Sequence, residues 1–424
     1  MQGTASRRDA VKIANEMAVG VFYNPLSSQK FFCAFLLALA MFFPDMVSAK
    51  QQPKVSVEMA LLRLPAELSS AVPAYLRPAD NDGEAGASRA VDDANGTGKF
   101  LGQRYTLSAH LTDTKEAVVS EAKHLYEKGI RLFLADMDTP ALKTLRDALP
   151  SDALIFNYGN QDTSLRSHAC LPDTFHTSVS LAMRTDAIGQ WLRLRKLSKI
   201  FLVSGSHDPD NDYLDAARAS IAKFGHRIVS EKLWNFETDL RRSASKEMPL
   251  FTQASDYDVV WVADASMLFG QHLPFNTWLP RPVIGTHGLR SNGWHSTIEQ
   301  WGAIQLQNRF RKKYNRYMSS KDFAAWAAVR SISEAVTKLG KADTTTIRNH
   351  LISNDFQLAG YKGRKLTYRT WNGQLRQPVP LFHDQALVTS APFDGFLHPH
   401  NELDTLGIDR PQSQCRIFRQ KDSL

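Results

Sequence analysis

From residue 54 onward, short apolar runs alternate with stretches whose apolar residues recur every three or four positions, and that alternation restricts the fold. Residues 54–64 open as a strand, and residues 104–111 alternate like a half-buried one. Residues 114–128 place Ala117, Val118, Ala122, Leu125 and Tyr126 at helical spacing, and Gly129 stops that helix. Residues 130–135 and 153–157 read as short buried strands, with a helix over 139–149 between them. A second series follows: a helix over 184–196, a strand over 198–204, a helix over 211–224, then strands over 226–234, 257–263 and 281–285. Helices are expected over 301–314, 322–339 and 344–353. This order predicts an α/β chain with parallel sheets covered by helices on both faces.

Because the series restarts near residue 176, two doubly wound lobes joined by crossover hinges are expected. The first lobe takes 50–175 and 285–355, the second 176–284 and 356–390, and 391–424 forms a C-terminal tail. The Gly- and Ala-rich stretch 83–98 reads as a helix and turn or as a surface loop. Asn372-Gly373 carries the dipeptide of a tight hairpin turn. In doubly wound sheets ligands bind beyond the carboxyl ends of the strands, so the loops there are the ones to inspect.

Residues 31–43 contain no charge and fall short of the roughly 20 apolar residues that span a bilayer. Lys30 precedes the run, Pro44 breaks it, and Val47-Ser48-Ala49 supplies small residues for a signal peptidase. Residues 1–49 are therefore expected to be an export signal, cleaved near Ala49. Arg7-Arg8 looks like a twin-arginine motif, but the apolar core begins 18 residues past Lys12, so the match is read as fortuitous.

The net charge of +8 is mild and dispersed. Its densest cluster, Arg309, Arg311, Lys312, Lys313 and Arg316, closes a predicted helix, where cations are favoured. Nothing resembles a nucleic-acid module, and no nucleic-acid partner is expected. Beyond the signal only Cys170 and Cys415 remain. In an oxidising compartment they suggest one disulfide between the chain's middle and its tail, with two buried thiols as the alternative.

No G-x-S-x-G, H-E-x-x-H, C-x-x-C or Walker loop occurs, although a catalytic triad assembled across the fold would leave no such motif, and no cofactor is expected. Asp208, Asp210 and Asp212 echo the start of a calcium loop, but Tyr213 stands where its glycine belongs. They are read as an acidic helix N-terminus. His398 and His400, with Glu402 and Asp404, lack the spacing of a zinc helix and read as tail, so no metal is expected.

The segment from Gly98 to Leu107 (GKFLGQRYTL) resembles the approach to the second strand of type I periplasmic binding proteins, the substrate-binding subunits of branched-chain amino acid ABC transporters. EAVVSEAKHLYEKGIRLFLADMDT resembles that family's next unit. Phe175-His176-Thr177, followed by Met183-Arg184-Thr185-Asp186-Ala187, resembles its first crossover. FLVSGSHDPDNDYLDAARASIAKFGHRIV matches the opening of the second lobe in spacing. The run 323–329 (FAAWAAV) resembles a late helix that carries an aromatic residue where Trp326 stands. Together these cover about residues 54–350. The ending FDGFLHPHNELDTLGIDRPQSQCRIF resembles one subgroup, associated with pyrroloquinoline-quinone-dependent alcohol dehydrogenase systems.

The resemblance implies a periplasmic protein that closes two lobes on a small-molecule ligand and serves an ABC permease in the inner membrane. The alternative is a sensor or accessory protein acting through a protein partner, such as a quinoprotein dehydrogenase or a sensor kinase. The strand-end loops offer Asp136, Asp138, Asn157, Tyr158 and Asn160 from the first lobe. From the second they offer Ser204, His207, Asp208, Asp210, Asp212, Tyr213 and Asp264, and the resemblance adds Trp326. The loops after 130–135 and 153–157 lack the family's small, hydroxyl-rich sequence, which speaks against amino-acid binding.

Overall fold

The computed structural model describes residues 54–235, 240–416 and 418. The export signal read in residues 1–49 lies outside the described residues. The first sheet is wholly parallel: β1 (Val55–Arg63), β2 (Gln103–Leu111), β3 (Leu132–Asp136), β4 (Leu154–Asn157) and β5 (Thr174–His176), in the order β2-β1-β3-β4-β5. Strands β3 and β4 are apolar at every position but the last, Asp136 and Asn157, because both faces are covered. Leu132, Leu134, Leu154 and Phe156 enter one core. Phe133, Ala135 and Ile155 enter the other, against Val118 and Ala122 of α2 (Lys115–Glu127) and Leu142 and Leu145 of α3 (Thr139–Ala148).

The stretch left open between helix and loop is a single helix, α1 (Glu84–Leu101). Its buried positions are Ala85, Gly86, Ala87, Ala90, Ala94 and Gly98. These small residues let the chain lie close to α8 (Ser320–Leu339). A β-carbon at Gly86 would sit 1.9 Å from the Asp322 carbonyl oxygen. Ser319 and Asp322 form a capping box at the start of α8, and Asp322 also accepts from the amides of Gly83 and Gly86. Two more helices, α7 (Ala303–Tyr314) and α9 (Thr344–Leu351), complete this face.

The second sheet contains β6 (Lys199–Ser204), β7 (Arg227–Leu233), β8 (Val259–Ala263), β9 (Val283–Gly285), β10 (Leu289–Ser291), β14 (Val379–His383) and β15 (Ala386–Ala391). The order is β15-β14-β10-β9-β8-β6-β7; β14 pairs antiparallel with both β10 and β15, and the other pairs are parallel. Alternation again divides the faces. Ile200, Leu202 and Trp261 pack with α4 (Leu181–Leu194) and α5 (Asp208–Lys223). Phe201, Val203 and Val262 pack towards α6 (Leu240–Phe251).

The chain passes between the two sets of cores at three places. Phe175 lies in the first and Val179 in the second, Ile284 in the second and Trp294 in the first, Leu375 in the first and Val379 in the second. Two stretches therefore sit differently from expectation. Residues 289–291 still extend the second sheet, because β10 pairs with β9 and β14. Residues 358–376 form a small antiparallel meander, β11 (Leu358–Ala359), β12 (Lys365–Tyr368) and β13 (Leu375–Arg376), turned at Asn372-Gly373. Its inward residues Leu358, Leu366, Tyr368 and Leu375 join the first core, because the meander packs on α8, where the Tyr368 hydroxyl meets Ser331 Oγ at 2.9 Å.

The tail is packed rather than extended into solvent. Leu406 lies in the second core and Phe418 in the first. A disulfide joins Cys170 to Cys415, with Cα atoms 5.6 Å apart.

Candidate functional site

The carboxyl ends of β6 and β8 face a groove whose opposite wall is the loop after β1. Residues 69–74 and Arg77 form that wall; Gly205, Ser206, His207, Trp234, Leu268, Phe269 and Gln271 lie across it. The groove encloses about 1030 Å³. At its rim the Tyr75 hydroxyl donates to Gln271 Oε1 at 3.2 Å, which links the two lobes. No reading of the sequence pointed to residues 69–77, which have neither helical nor strand period. Their signal was positional: they follow the first strand of a parallel sheet.

The second-lobe side is built by tight turns. Ser204 ends β6, buried, and its carbonyl accepts from the Trp234 amide at 2.7 Å. Gly205 is required here, since a β-carbon would lie 2.2 Å from Asp210 Oδ2. That carboxylate, fully buried, accepts from the His207 amide at 3.2 Å and the Ser266 amide at 2.8 Å. His207 is exposed at the groove, and Asp208 is the exposed first residue of α5. Asp264 accepts from the amides of Leu268, Phe269 and Gly270 at 2.9, 3.0 and 2.6 Å. Burial pushes its pKa up, against the lowering effect of those amides. His287, 3.9 Å away, is pushed down to about 4 by burial and then by Arg290. Asp212 is raised by burial and by neighbouring carboxylates.

The first-lobe candidates serve structure. Asp136 pairs with Lys321 Nζ at 2.8 Å. Asp138 caps α3, accepting from the Ala141 amide at 2.7 Å. Asn157, fully buried, holds the turn to Asn160 and meets His176 Nδ1 at 2.9 Å. The Asn160 side chain donates to the Met137 carbonyl and to Thr139. Tyr158 is buried beneath Gly83, and burial and then Asp136 raise its pKa well above 10. In the second lobe Tyr213 is buried in the core beside Arg184. Trp326 lies in the first core, its ring beside Phe323 and its Nε1 3.3 Å from Asp93. The groove thus gathers His207 and Asp210, with Ser204 and Asp264 beneath them, and leaves Asp136, Asp138, Asn157, Tyr158, Asn160, Asp208, Asp212, Tyr213 and Trp326 outside its lining.

A polar network missed from sequence ties the crossovers together. Arg166, 1% exposed, donates to Gln374 Oε1 at 3.0 Å and to the carbonyls of Asp162 and Asn160 at 2.9 and 3.0 Å. Gln374 donates onward to the Ser178 carbonyl at 2.9 Å, and Gln377 to that of Thr177 at 2.9 Å. Arg184 donates to the Ser291 carbonyl and Gln161, both at 2.8 Å, and Gln161 reaches Asn292. Burial lowers the pKa of Arg166 to about 9, and burial and then Arg166 hold His176 well below 6.5.

Among the described residues no cluster of three or more His, Cys, Asp or Glu could hold a metal ion, and no helix is long and apolar enough to cross a membrane.

Residues 75–267 match the family model described as "Periplasmic binding protein". An ABC transporter substrate-binding protein from Sphaerobacter thermophilus aligns with a TM-score of 0.65 at 14% identity, covering 83% of this chain and 100% of that one. A branched-chain amino acid ABC transporter periplasmic ligand-binding protein from Burkholderia xenovorans aligns at 0.62 and 16%, covering 79% and 94%. A solute-binding protein from R. palustris, in complex with benzoate, aligns at 0.58 and 11%, covering 80% and 98%. At these identities the likeness is one of fold. No curated protein sequence matches.

Proposed function

We propose that this chain, a type I periplasmic binding protein by its matched segment and its fold, binds a small solute between its two lobes and presents it to an ABC permease in the inner membrane. The groove carries this reading. It opens between two separately cored lobes, at the strand ends where doubly wound sheets take ligands. The three crossovers at 176–179, 291–294 and 375–379 contain no helix, so a change in a few backbone angles would swing one lobe against the other. The structural neighbours named above are substrate-binding proteins rather than enzymes.

The periplasm is the proposed location, supported by the family and by the export signal read in residues 1–49. A finer proposal, that the solute belongs to quinoprotein alcohol oxidation, is supported by the likeness of residues 393–418 to the ending of that subgroup. A thermal-shift screen of alcohols, aldehydes, carboxylates and amino acids tests the binding role. A saturable rise in melting temperature is expected for at least one class. Turnover of a screened compound would contradict the reading.

A further inference from the structure

Resting on that reading, we infer that Lys362 is the positioning residue of the hinge: its amine holds the three crossovers together and sets the angle at which the lobes stand before a solute arrives. Lys362 lies between β11 and β12, whose Leu358 and Leu366 pack in the first core. Its neighbours Tyr361 and Gly363 are both left-handed, at φ 55° and 75°, so the chain turns sharply there. The lysine itself is 4% exposed. Its Nζ donates to Gln377 Oε1 at 2.5 Å and to the Pro378 carbonyl at 3.3 Å, both in the third crossover. The Gln377 side chain carries the link to the first crossover, donating to the Thr177 carbonyl at 2.9 Å. The same Nζ lies 4.5 Å from the centre of the Phe323 ring. That ring stacks on Trp294 of the second crossover, with centroids 4.5 Å and planes 4° apart. One side chain thus reaches all three places where the chain passes between the lobes.

No carboxylate pairs with Lys362 among the described residues, and burial pushes its pKa well below 10.5. It is therefore not half of an ion pair that anchors the fold. For packing alone a methionine would serve, without the cost of burying an amine. What the amine adds is a set of bonds across the point where the chain leaves the first lobe, since Val379, one residue past Pro378, belongs to the second core. Turning the third crossover moves Gln377 and Pro378 against Lys362, so those bonds resist the turn.

Pulsed electron–electron double resonance tests the inference, with nitroxide labels on Lys143→Cys of α3 and Ala219→Cys of α5. These are exposed positions, one in each lobe, and their separation reads the lobe angle with no solute present. The parent is expected to give one narrow distance distribution. Lys362→Met leaves both oxygens without their donor and is expected to shift the balance between that distance and others by at least about tenfold. Gln377→Leu keeps the amine and cuts the link to the first crossover. It is expected to shift the balance in the same direction, and it decides the case should Lys362→Met not fold. A merely structural lysine would lower the melting temperature and leave the distances in place. Unchanged distances in the folded variants overturn the inference and leave the solute-binding role, which the thermal-shift screen decides, untouched.

Discussion

At the scale of single residues, the hinge depends on Arg166. Its guanidinium is buried against the carbonyl oxygens of Asn160, Asp162 and Ser178 and the side-chain oxygen of Gln374, beside the first and third crossovers. Arg166→Met strands those acceptors and is expected to destabilise the protein by about 3–5 kcal/mol, read from denaturant unfolding. Arg166→Lys should recover little, because one ammonium cannot reproduce the planar fork. A loss below about 1 kcal/mol would remove Arg166 from this role.

Acid sensitivity belongs to the same scale. His287 is held at about 4 in the folded chain, chiefly by burial, and His176 well below 6.5 for the same reason. Between pH 6.5 and 4 the unfolded imidazole takes a proton that the folded one refuses. Stability should therefore fall as pH drops through that window, by up to about 1.4 kcal/mol per pH unit for each such group. The melting temperature is expected to decline from pH 7 to 4.5, and less steeply in His287→Gln. Identical slopes in the two proteins would exclude His287 as a contributor. Sequence could propose Asn157, Asn160 and Asp138 as ligand groups, because the chemistry that grips a solute also builds turns and caps. Only the fold distinguishes the two uses. Arg166 and Gln374 were invisible as partners because 208 positions separate them.

Elements were more legible than sites. The strands declared themselves because both faces are buried, which forces apolar runs such as the first four residues of Leu132–Asp136 and the whole of Val259–Ala263. α1 was ambiguous because its buried face is Ala and Gly, which carry little hydrophobic signal. Those residues are there for the approach to α8. Gly86→Ala is expected to cost about 1–3 kcal/mol, where a propensity argument alone would have it stabilise the helix. A melting temperature equal to or above that of the parent would show that the two helices are not closely packed there.

The tail is the other element with a structural role. Arg369 and Arg376 of the meander clasp Asp404 at 2.8 and 2.7 Å. Lys223 and Asp186 of the second lobe hold Gly407. The Cys170–Cys415 disulfide closes a span of 245 residues. The tail therefore straps one lobe to the other beside the crossovers. Cys415→Ser is expected to cost about 2–4 kcal/mol and to expose residues 392–416 to limited proteolysis. Asp404→Asn should do the same from the other anchor, by leaving two guanidiniums short of a countercharge. Tail cleavage unchanged in both variants would contradict the strap.

At the scale of the molecule, two lobes, each with its own cores, are joined by helix-free crossovers that a polar network ties together. The alternation of strands and helices was sufficient to foresee two lobes. The return points were not, because β10 and the meander are short and their membership depends on pairing rather than on period. The central claim is that the lobes close on a solute. Small-angle X-ray scattering of the purified protein, with and without the compound that most raises its melting temperature, tests this most directly. Closure requires a smaller radius of gyration at saturation, reached at the concentration that saturates the thermal shift. An unchanged radius with the compound bound would contradict the account.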